Sequence, residues 1–169
     1  DISVGIRREV IIALGACHAP AEQPVLSDSA HRVILRTLDD ADPQMRIAAL
    51  LGVHEFGYRG GVKMAVDLAQ DASPEVRHVA VQALGHIVVG TAPNAPVQVE
   101  PQVRARIVDV LIAALNDSAY QSIRTKAVRS LSSSGDGRAI PHLERLLQHG
   151  SEVDRMEAKW ALEKLRTSG

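Results

Sequence analysis

At 169 residues the chain has room for one compact domain or a short repeat array, and no apolar run in it reaches the length of a membrane span. Hydrophobic residues make up 46 % but aromatics only 2 % (Phe56, Tyr58, Tyr120 and Trp160), so the core has to be built from Ala, Val, Leu and Ile, a set suited to closely packed helices. Nineteen Lys and Arg against 20 Asp and Glu leave a net charge of −1, without the basic excess that bulk nucleic-acid binding needs; the single Cys17 excludes an internal disulfide and fits a reducing, cytoplasmic setting.

In chain order, one pattern recurs five times. It reads Ile6-Arg7-Arg8-Glu9-Val10-Ile11-Ile12-Ala13-Leu14, then Met45-Arg46-Ile47-Ala48-Ala49-Leu50-Leu51-Gly52-Val53. It returns as Val76-Arg77-His78-Val79-Ala80-Val81-Gln82-Ala83-Leu84 and Ile123-Arg124-Thr125-Lys126-Ala127-Val128-Arg129-Ser130-Leu131, and less regularly from Asp154-Arg155 to Leu162. Counted from the arginine, offsets −1, +3, +4 and +7 are mostly aliphatic and fall on one helical face, and offset +6 is small: Ala13, Gly52, Ala83, Ser130 and Ala161. The small residues predict close helix–helix approach. The arginines stand at 7, 46, 77, 124 and 155, so the steps are 39, 31, 47 and 31 residues, and 31 fits one helix–turn–helix unit.

Asp42-Pro43 and Ser73-Pro74 predict helix starts, with a capping side chain before a proline in the first turn, and Ser122 and Ser151 are the candidate caps of the next two. Partner helices are expected over about 27–38, 61–69, 100–115 and 138–148, each with aliphatic residues at helical spacing. Gly90-Thr91-Ala92-Pro93-Asn94-Ala95-Pro96 is a loop by composition. The expected organisation is a single domain, 1–169, with repeats over about 1–17, 26–56, 60–88, 100–133 and 138–166. The first repeat lacks a partner helix and the chain opens on Asp1 rather than Met, so a piece of a longer protein is expected.

The pattern Asp-x-x-Pro-x-Val-Arg-x-x-Ala-Val-x-Ala-Leu-Gly, best kept in Ser73-Pro74-Glu75-Val76-Arg77-His78-Val79-Ala80-Val81-Gln82-Ala83-Leu84-Gly85, resembles a HEAT repeat of the short bacterial kind also found in phycobilisome lyase subunits. The resemblance covers nearly the whole chain. It implies an all-α, right-handed α-solenoid of about five hairpins in which the second helix of each lines a concave face. It also implies that the arginine pairs with an acid of the preceding turn; its recurrence alone leaves open the acidic turn of its own or of the next repeat. Asp39, Asp71 and Asp117 stand six or seven residues before Arg46, Arg77 and Arg124, whereas Arg7 and Arg155 lack such an aspartate. HEAT-like deoxyhypusine hydroxylases hold iron with several His-Glu pairs; this chain has one, His54-Glu55, so neither a metal nor a cofactor is expected.

Offsets +1, +5 and +9 point away from the core face. They gather Arg8, Ile12 and Ala16; Ile47, Leu51 and Glu55; His78, Gln82 and His86; Thr125, Arg129 and Ser133; Met156, Trp160 and Lys164. Ile12, Ile47 and Leu51 are large and apolar where solvent is expected, and Trp160 is the best hot-spot candidate. Cys17-His18 has no third group to orient it, and no phosphate-binding glycine loop is present, so catalysis is not expected. The expected function is a protein-interaction scaffold that presents its concave face to another protein or to the rest of its own chain. The alternatives are a bilin-lyase-like subunit and nucleic-acid binding on the same face.

Overall fold

The structure, a computed structural model, describes residues 32–56, 59–90 and 99–167. Arg7, Arg8, Ile12 and the whole first repeat lie outside that range, as does the side chain of Glu55. A helical segment at 32–37 is followed by α1 (Pro43–Phe56), α2 (Arg59–Leu68), α3 (Pro74–Val89), α4 (Pro101–Ala114), α5 (Gln121–Ser134), α6 (Ile140–His149) and α7 (Glu152–Thr167). A single 3-10 turn, Gly137–Ala139, leads into α6, and the described residues contain no strand.

Local chemistry sets the ends of these helices. Asp42 Oδ1 accepts from the Gln44 N–H at 2.9 Å ahead of Pro43. Ser73 caps α3, with Pro74 in the first turn. Gly90 and Gly135 end α3 and α5 in the left-handed region, φ 74° and 71°, where a side chain would be strained. Ser151 and Asp154 cap α7 reciprocally: Asp154 Oδ2 accepts from the Ser151 N–H at 3.1 Å, and Ser151 Oγ accepts from the Asp154 N–H at 3.2 Å. Ser122 is not a cap. Tyr120 occupies that position, and Ser122 lies inside α5 with its hydroxyl 3.1 Å from His78 Nδ1.

The helices form two files. α1, α3, α5 and α7 pack successively against one another, while α2, α4 and α6 lie behind them. The core runs between the files as one strip. Met45, Ala49, Leu50 and Val53 of α1, Val76, Ala80, Val81 and Leu84 of α3, and Ile123, Ala127, Val128 and Leu131 of α5 are all buried. These are the −1, +3, +4 and +7 positions. Val62, Ile107, Leu111 and Leu143 meet them from behind. No hairpin buries its apolar face alone, so the architecture is an α-solenoid of helical hairpins. Close approach is realised at Gly85, where a Cβ would run into the Ser130 hydroxyl and stand 3.0 Å from its Cβ.

Arg104, in the first turns of α4, ties the other ends of two front helices. It donates from Nη1 to the Val88 carbonyl at 2.6 Å and from Nη2 to the Ser134 carbonyl at 3.0 Å. Both carbonyls belong to the last turns of α3 and α5, where unbonded oxygens and the helix dipole favour a cation.

Candidate functional site

The recurrent arginines form a ladder along the N-terminal ends of the front helices. Arg46 donates from Nε and Nη2 to the two carboxylate oxygens of Asp71, at 2.9 and 2.8 Å, and from Nη1 to the Asp40 carbonyl at 2.7 Å. Arg77 bonds Asp117 at 2.8 Å and the Asp71 carbonyl at 2.8 Å. Arg124 bonds Asp154 at 3.1 and 3.0 Å and the Asp117 carbonyl at 2.7 Å. Each guanidinium therefore takes a backbone oxygen of its own preceding turn and a carboxylate of the next repeat. The carboxylate comes from the following turn, not the preceding one as the resemblance implies. Asp71 and Asp117 serve the arginine one repeat upstream, and Asp40, not Asp39, holds the equivalent place, its Oδ1 accepting from the Asp42 N–H as Asp71 Oδ1 accepts from Ser73. Among the described residues Arg155 makes only the backbone half, to the Gly150 carbonyl at 2.9 Å.

Burial pushes the carboxyls of Asp71, Asp117 and Asp154 upward, but the arginine bonds, the local N–H or hydroxyl donors and the neighbouring positive charge outweigh it. All three end below the ordinary Asp value. The charges of these three pairs are therefore consumed within the ladder.

That face changes character along the stack. At α1, Ile47 is half-buried and Leu51 exposed, an apolar end. Between α3 and α5 lies a groove of about 630 Å³ that also reaches Val153 of α7. Gln82 and His86 line it from α3, and Thr125, Lys126, Arg129 and Ser133 from α5. His78 stands beside it, bonded to Ser122. Burial, and after it the charge of Lys126, holds both histidines below the ordinary value, so at neutral pH they are uncharged hydrogen-bonding groups.

Polar bridges cross from α5 to α7. Arg129 holds Glu157 through two bonds of 3.1 and 2.6 Å, and Lys164 donates to Ser133 Oγ at 2.9 Å. Lys164 also lies 5.3 Å from the centre of the Trp160 ring, which is 47 % exposed beside an exposed Met156. The structure thus brings Gln82, His86 and Arg129 into one groove with His78 beside it, and leaves Met156 and Trp160 exposed on α7, with Leu51 exposed and Ile47 half-buried on α1. Lys126 and Glu157 were not singled out from the sequence. Both stand at offset +2, beside the +1, +5, +9 stripe, and the exposed face of a helix is wider than one stripe.

Among the described residues, no group of three or more His, Cys, Asp and Glu is placed to hold a metal ion, and no helix is long and apolar enough to cross a membrane. No curated protein matches the chain. Solved structures do. A designed armadillo repeat protein in complex with the peptide (KR)4 matches at TM-score 0.63 and 21 % identity, covering 92 % of this chain and 72 % of that one. A computationally designed armadillo repeat protein for modular peptide recognition matches at 0.60 and 21 %, covering 91 % and 72 %. The complex of CpcE and CpcF of phycocyanin lyase from Nostoc sp. PCC7120 matches at 0.63 and 18 %, covering 95 % and 99 %. At these identities the likeness is one of fold. The profile of HEAT repeats matches residues 32–101 and again 94–163. With the profile laid twice along a file of hairpins joined by a recurrent Arg–Asp ladder, the chain belongs to the HEAT repeat family.

Proposed function

We propose that the chain is a binding scaffold whose concave face holds an extended segment of a protein partner. The observation that carries this reading is the groove between α3 and α5. It is wide enough for side chains, is lined by hydrogen-bonding groups of two successive front helices and reaches Val153 of the third, α7, on which Trp160 is exposed. Such a surface suits a segment that brings its own backbone donors and acceptors, with an aromatic anchor at one end. Rigid helices hold the side chains in place, so little ordering cost falls on the scaffold. The likeness to designed peptide-binding armadillo proteins supports the same mode.

The test is selection of random nine-residue peptides on the purified chain, followed by titration against two variants. Thr125→Trp fills the groove from a half-exposed position, and Trp160→Ala removes the anchor. Selected peptides should lose about tenfold or more in affinity with each variant, while thermal unfolding stays unchanged. Peptides that bind all three proteins equally, or a selection that enriches nothing, would refute the reading.

A further inference from the structure

We infer that the segment held by the concave groove is acidic. The inference deepens the proposed function and rests on it. The charged groups that line the groove are Lys126 and Arg129, both positive, and the charged groups bonded to its lining are Glu157, on Arg129, and Lys164, on Ser133; positive charge in this set exceeds negative by two although the whole chain carries −1. Lys126 is the centre of this excess. It sits half-buried on the groove wall, and among the described residues no carboxylate stands within salt-bridge distance of it. Its field reaches both His78 and His86 and opposes their protonation. A half-buried ammonium facing a groove attracts an anion more strongly than a fully solvated one, because less water screens it.

The remaining groove groups suit a carboxylate-bearing peptide better than a polyphosphate. Arg129 is already held through two bonds by Glu157, a carboxylate that would repel a closely spaced phosphate track. Gln82, Thr125 and Ser133 offer neutral donors and acceptors at the spacing of successive helices. An acidic peptide places a carboxylate at Lys126 and meets those groups with its backbone. A basic peptide places an ammonium there instead, at a cost.

The experiment uses fluorescein-labelled octapeptides of alternating Glu-Ser, Gln-Ser and Lys-Ser, and a single-stranded oligonucleotide of twelve bases. Binding is read by anisotropy at about 50 and 300 mM salt, beside the randomly selected peptides. The Glu-Ser peptide should bind at least tenfold tighter than Gln-Ser and weaken as salt rises, and Lys-Ser should not bind. Lys126→Gln should reduce Glu-Ser affinity about fivefold and Lys126→Glu further, while Lys126→Arg retains it; equal thermal unfolding of the variants excludes misfolding as the cause. Three results overturn the inference: Gln-Ser or Lys-Ser binding as tightly as Glu-Ser, insensitivity of Glu-Ser binding to Lys126→Glu, or the oligonucleotide binding in its place. In each of these the scaffold reading survives if selected peptides still respond to Thr125→Trp. If they do not respond, that reading fails as well.

Discussion

Replacing Arg77 by Met is expected to lower the free energy of unfolding by about 3 kcal/mol. Arg77 donates to Asp117 and to the Asp71 and Ala72 carbonyls, so it joins two turns of successive repeats. The pair is only 19 % and 10 % exposed on its two side chains. With the guanidinium gone, Asp117 keeps the N–H groups of Ala119 and Tyr120 but no counter-charge, and a largely desolvated carboxylate is left unbalanced. Partial exposure puts the loss at the lower end of the range for breaking a buried pair. Urea unfolding followed by circular dichroism at pH 7 measures it. The pH dependence has a definite sign. The folded carboxyls of Asp71, Asp117 and Asp154 lie below their unfolded value, so their contribution is complete above the unfolded pKa of about 4 and is lost as pH falls through the lower folded values. The gap between wild type and Arg77→Met should therefore narrow below about pH 4. A gap that persists unchanged into stronger acid would show that the arginine acts through packing and not through its ion pair.

Asp154→Ala should open the end of the stack without loosening its middle. This carboxylate is 4 % exposed and carries two duties at once. It holds Arg124 through two bonds, and it accepts from Ser151 N–H at 3.1 Å and Ser151 Oγ at 2.7 Å, fixing the start of α7. Removing it strands Arg124 and uncaps α7, a loss of about 3 kcal/mol in all. Because α7 packs chiefly on α5 and α6 among the described helices, the loss should stay local. Amides of α7 should exchange about a hundredfold faster while those of α3 keep their protection. Asp154→Asn retains an acceptor for Ser151 and should fall between. Equal loss of protection in α3 and α7 would mean that the hairpins unfold as one unit.

The front helices were legible in the sequence because each repeats the same contact. A helix that packs on two neighbours and a partner behind must keep Ala or another small residue at fixed offsets, and Ala80, Ala83, Ala127 and Ala161 do so. The direction of the ladder was not legible. Asp71 precedes Arg77 by six residues, and spacing alone cannot tell that its carboxylate reaches back to Arg46 while its carbonyl serves Arg77. Asp154 was hidden for a related reason. It has moved from the turn into the first turn of α7, next to Arg155, yet its side chain reaches the same slot as Asp71 and Asp117. Ser122 misled because a serine near a helix start is a common cap, whereas here Tyr120 takes the cap position two residues earlier and the Ser122 hydroxyl meets a histidine on the neighbouring front helix. On the concave side, a single stripe of offsets took in Arg129 and Trp160 but not Lys126, which lines the gap between two helices, a property of packing that no single helix displays.

Titrating the isotopically labelled chain with a selected peptide, and following backbone amide chemical shifts, decides whether a partner is held on the concave face of the front helices. The largest changes are expected at Gln82, Thr125, Arg129 and Ser133, with the indole N–H of Trp160 moving as well. Changes centred instead on Arg106, His142 or Arg145, which belong to the rear helices, would contradict binding on that face.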